Sequence, residues 1–187
     1  MQQAALLGEH IRSRYEPVKV WSSDLQRCAQ TADATGLSFE RTKSLREIKF
    51  GDWEGMYWTD IFAESSGVAS KFVTGDPSFQ APGGESISSL VKRAGRFIEE
   101  AELLSGDGDV LVVSHGGMLR SLIVALLGLP EDSTARFYCA NCAVSTVTAA
   151  NGLVRLETLN ETAHLDAAAL SPVVFTPGRT RSGSPGR

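Results

Sequence analysis

The sequence predicts an α/β fold, a mostly parallel sheet covered by helices on both faces, on three observations. Val110-Leu111-Val112-Val113 is a fully apolar run of strand length, the pattern of a strand buried on both sides. Strand-like runs alternate with amphipathic helical patterns along the body of the chain. Asn151-Gly152, set between two runs of strand character, is the strongest short-range hairpin signal.

Taken in order, residues 2–13 read as a helix with Ala5, Leu6 and Ile11 on one side. Residues 17–21 read as a strand, and Ser22-Ser23-Asp24 as an N-cap cluster for a helix over 25–34 that stops at Gly36. Residues 55–82 show weak periodicity with several Gly, Ser and Pro, which predicts a mobile insertion. The strongest helix covers 86–104, where Ile87, Leu90, Val91, Ala94, Phe97, Ile98, Ala101 and Leu104 recur at helical spacing. A turn at 105–109 leads into the 110–113 strand. An apolar helix over 118–127 follows, closed by Gly128 and Pro130. Runs at 144–148 and 153–157 form the hairpin.

Composition bounds the function. The chain has 187 residues, 42% of them hydrophobic, too many for a disordered protein. A single core at this length buries about 70% of the unfolded chain's surface. The net charge of −4 gives no electrostatic footprint for nucleic acid. The longest near-apolar run, 119–129, is too short to span a bilayer and contains Arg120. No basic-then-apolar leader is visible. Three cysteines form no disulfide scaffold and suit a reducing compartment. A cytoplasmic protein is expected, with its oligomeric state open. The segment 176–187 carries three Arg, no acid and no large apolar residue, and is expected to be a disordered basic tail.

Ligands in open α/β sheets bind beyond the carboxyl ends of the strands. Two predicted strand ends are polar here. One leads into Ser22-Ser23-Asp24-Leu25-Gln26-Arg27, with Arg27 on the first turn of a helix. The other is Val113-Ser114-His115-Gly116-Gly117, where an imidazole precedes two glycines and a helix N-terminus, an arrangement suited to an anion. A third element is Leu45-Arg46-Glu47-Ile48-Lys49-Phe50-Gly51-Asp52-Trp53-Glu54-Gly55. A carboxyl held among apolar neighbours can stay protonated nearer neutrality, as a general acid requires. Charge alone does not separate Glu47 from Asp52 and Glu54.

These segments, with Pro82-Gly83-Gly84-Glu85-Ser86 and Leu159-Asn160-Glu161-Thr162-Ala163-His164-Leu165, occur in an order and spacing that resemble the histidine phosphatase family, which has the phosphoglycerate-mutase-like fold. The likeness is greatest to its small bacterial phosphatases. The resemblance implies a three-layer α/β/α sandwich over residues 1–170 and hydrolysis of small phosphomonoesters through a phosphohistidine, with no metal or cofactor. By matching motifs, Arg27 resembles the arginine that grips the phosphoryl oxygens, and His115 the second histidine of the phosphate pocket, with the Gly116 amide as a further donor. Glu47 resembles the carboxyl that protonates the leaving oxygen and then activates water. Residues 55–82 are short for the family's mutase-type elaboration, which favours a phosphatase. The expected partner is a small phosphorylated substrate, with neither nucleic acid nor membrane.

One departure is large. The family's first strand ends in Arg-His-Gly, whose histidine is the nucleophile, and this sequence has no such tripeptide. Its histidines are His10, His115 and His164. The resemblance therefore implies that roughly 20–30 residues, a strand with its phosphate loop and helix start, are missing. Their loss is expected to leave the edges of the 17–21 and 110–113 strands facing a gap, and the chain inactive as it stands. His10 reads as an exposed helix residue. Other chemistries fit less well. A nucleophile elbow at Ser114 has Val112 where glycine is required. Cys139 and Cys142 have redox spacing but precede a strand, so they read as ordinary residues. The alternative kept open is a catalytically dead, phosphate-binding relative.

Overall fold

A computed structural model describes residues 2–165, so the tail expected at 176–187 lies outside the described residues. The elements run α1 (Gln2–Arg14), β1 (Lys19–Ser23), α2 (Gln26–Asp33), β2 (Glu40–Thr42), α3 (Trp58–Thr74), α4 (Ile87–Glu100), β3 (Val110–Val113), α5 (Gly116–Leu126), β4 (Val144–Ala150) and β5 (Leu153–Glu161). Short 3₁₀ turns lie at Lys43–Leu45, Gly51–Trp53 and Glu131–Arg136.

β1 is the middle strand of a parallel sheet ordered β2-β1-β3. Side chains on adjacent residues of β3 face opposite ways, as strand geometry requires. Val112, with Trp21 beside it in register, packs into the main core built by α4 and α5. Leu111 and Val113 pack instead with Cys28 and Ala32 of α2. Helices therefore cover both faces, in agreement with the layered α/β expectation. α1 buries Ala4, Leu7, Gly8 and Ile11. This corrects the predicted stripe: Ala5 is exposed, because the i, i+3, i+4, i+7 set begins one residue earlier. Gly8 admits close contact with the end of α2, since a Cβ there would lie 2.0 Å from the Ala34 carbonyl oxygen. Arg12 closes that end by donating to the Ala34 and Thr35 carbonyls, each at 3.0 Å.

Three further corrections follow. First, Ser22 and Ser23 do not cap α2. They extend β1, pairing in register with Arg41 and Thr42 of a short polar strand that the sequence reading passed over. Second, the expected gap does not flank β1, which is paired on both sides. Among the described residues β2 and β3 are the two edges of this sheet, each paired with β1, while β4 and β5 form a separate antiparallel hairpin. Third, the segment 55–82 is not an irregular insertion. It holds α3, whose Ile61 and Ala69 are buried, and Phe79 beyond it is fully buried. Phe72 stacks on Trp58 at 5.2 Å and meets Phe50 at 5.3 Å and Phe79 at 5.0 Å. The periodicity is hidden because α3 kinks at Ser65 (φ −140°, ψ 42°), which changes the phase of the apolar positions.

The remaining elements lie close to their predicted places. Ser86 caps α4, its hydroxyl accepting from the Ser89 amide at 3.0 Å, and the helix ends at Glu100, four residues short of Leu104. The hairpin turns at Asn151 and Gly152, both at positive φ (52° and 76°), as a two-residue turn of this kind requires.

Candidate functional site

Ser22 of β1 is paired with Val113 of β3, so the residues that follow each strand leave the sheet at the same end. There α2 presents Arg27 and α5 begins at Gly116, with His115 as its N-cap. Arg27 donates from Nε to His115 Nδ1 at 3.0 Å. A guanidinium can only donate, so Nδ1 of His115 is the acceptor and the imidazole is neutral, with its hydrogen on Nε2. That nitrogen lies 2.9 Å from the Ser23 hydroxyl and 3.4 Å from the Cys28 sulfur. Burial, joined by the charges of Arg27 and Arg93, pushes the His115 pKa down to about 4. Burial likewise pushes the Cys28 thiol up to about 11, so it stays a thiol.

Glu47 reaches the same helix N-terminus from the loop after β2. Its Oε2 accepts the Gly117 amide at 3.0 Å and its Oε1 accepts the Ile48 amide at 2.9 Å. This contact explains Gly117: a Cβ there would lie 2.3 Å from Glu47 Oε1. Gly116, the other expected donor, begins the helix beside the Cys139 carbonyl, which would be 3.8 Å from a Cβ at Gly116. The structure thus brings Arg27, Glu47, His115 and Gly116 to one helix N-terminus. It separates the carboxyls that charge alone could not: Glu54 is spent on the Phe50 amide at 2.8 Å, and Asp52 faces Gly83.

Ser23 and Cys28 are neighbours of His115 that the sequence reading did not single out. The signal is present in the sequence, since Ser23 ends β1 and Cys28 follows Arg27 on α2, but the pattern of Ser22-Ser23-Asp24 points to a cap. Ser114 donates to the Leu45 carbonyl at 2.7 Å and so ties β3 to the Glu47 loop. Cys139 and Cys142 belong to a turn held by the Asn160 side chain, which accepts the Ala140 amide at 2.7 Å, and by His164, whose Nε2 donates to the Cys142 carbonyl at 2.9 Å. His10 is not an exposed helix residue. Its side chain is 9% accessible, stacked on His164 at 4.3 Å with Glu161 beside it, because α1 packs that face against the end of β5. Among the described residues no three His, Cys, Asp or Glu side chains converge as metal ligands would, and no helix is long and apolar enough to cross a membrane.

Comparison with known proteins matches residues 1–162 to the histidine phosphatase superfamily (branch 1). A probable phosphoglycerate mutase, GpmB, of Yersinia pestis (strain Pestoides F) is 33% identical over 180 residues, covering 91% of this chain and 83% of that protein. Among solved structures, mycobacterial glucosyl-3-phosphoglycerate phosphatase Rv2419c in complex with inorganic phosphate superposes with a TM-score of 0.78 at 28% identity, covering 88% of this chain and 86% of that one. A phosphoserine phosphatase mutant from Entamoeba histolytica, in complex with phosphoserine, gives 0.74 at 26% identity, covering 88% and 83%. Sequence, sheet and relatives agree: the chain belongs to branch 1 of the histidine phosphatase superfamily, with its phosphoglycerate-mutase-like α/β fold.

Proposed function

We propose that this chain carries the phosphate pocket and the proton-transfer group of a metal-independent phosphomonoesterase working through a phosphohistidine. One observation supports this above the others: an arginine, a neutral histidine and a carboxyl group meet at the N-terminus of α5. Phosphoryl transfer asks little of a protein beyond positioning and stabilisation of charge on the phosphoryl oxygens, and Arg27, His115 and the first amides of α5 are groups of that kind. Glu47 is the proton donor. As a histidine nitrogen bonds to phosphorus, the ester P–O bond breaks and the leaving oxygen takes the proton of Glu47. Water then attacks the phosphohistidine, gives a proton to the Glu47 carboxylate, and the P–N bond breaks to release phosphate and free histidine. The Rv2419c complex with phosphate and the phosphoserine complex support small phosphorylated ligands for this pocket.

The attacking histidine is not one of the three in this sequence. His115 is already bound to Arg27 and Ser23, and His10 and His164 are stacked on each other. On this reading the chain as given is inactive, and a strand ending in Arg-His-Gly is what the domain needs to turn over. The absence of that tripeptide also favours a second reading, an inert phosphate binder. Two measurements on the chain as it stands test the shared part. Para-nitrophenyl phosphate should not be hydrolysed above background, and inorganic phosphate should perturb the His115 resonances. Turnover that His115→Ala abolishes would show that a histidine already present is the nucleophile. The two readings separate once the strand is added, since only the first predicts hydrolysis.

A further inference from the structure

We propose that Arg93 is a positioning residue for Glu47, held in place by Glu85; the inference rests on the reading of Glu47 as proton donor. Arg93 projects from α4, and its side chain is 18% accessible, as is that of Glu85. The pair is bidentate, Nε to Oε1 at 3.0 Å and Nη2 to Oε2 at 2.7 Å. The rest of the fork is spent on the backbone that carries Glu47. Nη1 donates to the carbonyls of Ser44 at 2.8 Å and Arg46 at 2.7 Å, and Nη2 reaches the Glu47 carbonyl at 3.4 Å. Nη1 also lies 3.9 Å from the sulfur of Met118, on the first turn of α5.

Glu85 holds the other half of the same loop. Its amide donates to the Lys49 carbonyl at 2.7 Å, and Gly84 lies so close that a Cβ there would sit 2.6 Å from that oxygen. Residues 44–49 are therefore held at one end by the Arg93 side chain and at the other by the backbone of its ion-pair partner, Glu85. The Pro82-Gly83-Gly84-Glu85-Ser86 motif thus acquires a purpose: the glycines bring the chain against the loop, and the carboxylate orients the arginine. Only a planar fork can bind a carboxylate side-on and still donate to three carbonyls, so lysine cannot replace Arg93. Without the clamp the loop loses its fixed path, and the Glu47 carboxylate leaves the Gly117 amide.

The test is the Gly117 amide in ¹H–¹⁵N spectra of the full chain, with Glu47→Ala marking its position when the acceptor is gone. In Arg93→Lys this resonance should move to the Glu47→Ala position, and its hydrogen-exchange protection should fall about tenfold or more. The amides of Ala94 and Ile98 on α4 should keep their protection, which a general loss of stability would not allow. Arg96→Lys, an exposed change on the same helix, should alter neither. If Arg93→Lys fails to fold, Glu85→Gln decides, with the same movement expected. An unmoved Gly117 amide in either folded variant overturns the proposal. Failure of the functional reading would show differently, as an inert extended chain whose Gly117 amide still responds to Arg93.

Discussion

Arg27 and His115 are joined by a hydrogen bond of 3.0 Å from guanidinium Nε to imidazole Nδ1, across the ends of two adjacent parallel strands. The bond sets the tautomer of His115 and brings together the two groups proposed to bind phosphate. Removing Arg27 deletes a positive charge that opposes protonation of the imidazole. In Arg27→Ala the His115 titration should therefore move up from about 4, as read by ¹H NMR. Affinity for inorganic phosphate should fall about tenfold or more, the loss expected for one charged hydrogen bond. An unchanged titration would mean that burial alone sets this imidazole.

Stability should depend on pH in a direction fixed by His115. Its pKa in the folded chain is about 4, against an ordinary value of 6.5, so between these limits the unfolded chain binds more protons. Stability is therefore fully present above pH 6.5 and is lost as pH falls towards 4. The loss amounts to about 3 kcal/mol. His10, lowered chiefly by burial and then by His164, acts in the same sense. Urea unfolding at pH 7.5 and pH 4.5 measures the slope. In His115→Gln the greater part of it should disappear, and a slope unaffected by this change would contradict the assignment.

Gly117→Ala should damage the site without breaking the helix. Alanine favours the helical backbone over glycine by about 1 kcal/mol, yet its Cβ would sit 2.3 Å from Glu47 Oε1. The carboxylate has to leave. A crystal structure or NMR study of the variant should show Glu47 displaced from α5 and the chain still folded. A variant that keeps the 3.0 Å contact would show that the site yields elsewhere.

The aromatic packing around α3 carries a stability prediction. Phe79 is fully buried against Phe72, Phe50 and Trp53, so Phe79→Ala should cost about 3–5 kcal/mol by chemical denaturation. Tyr57, 77% accessible at the start of the same helix, should change stability by less than about 0.5 kcal/mol when replaced by alanine. Equal effects at the two positions would restore the picture of a loosely attached insertion.

The contrast between α3 and α4 shows what the sequence made legible. In α4 the apolar residues keep one phase from Ile87 to Ile98, and burial follows that phase. In α3 the kink at Ser65 resets the phase, so its two halves cancel when read as one helix. β2 was missed because Glu40-Arg41-Thr42 is short and polar, as an edge strand can be. Arg27, Glu47, His115 and Gly116 could be chosen because each stands in a motif that a known family carries. Their convergence could not be read, since it depends on which strands become neighbours. His10 was misjudged for a related reason: its burial comes from β5 and His164, far away in sequence.

The most direct test of the account is hydrolysis of para-nitrophenyl phosphate, with chelator present, by the chain extended at its N-terminus with an apolar strand ending in Arg-His-Gly. The account predicts turnover that is lost when the added histidine becomes alanine and is strongly reduced by Arg27→Ala or His115→Ala. Glu47→Gln should matter little with this activated ester and much with an alkyl phosphate, whose leaving group needs a proton. A folded, extended chain that binds phosphate and hydrolyses neither ester would contradict it.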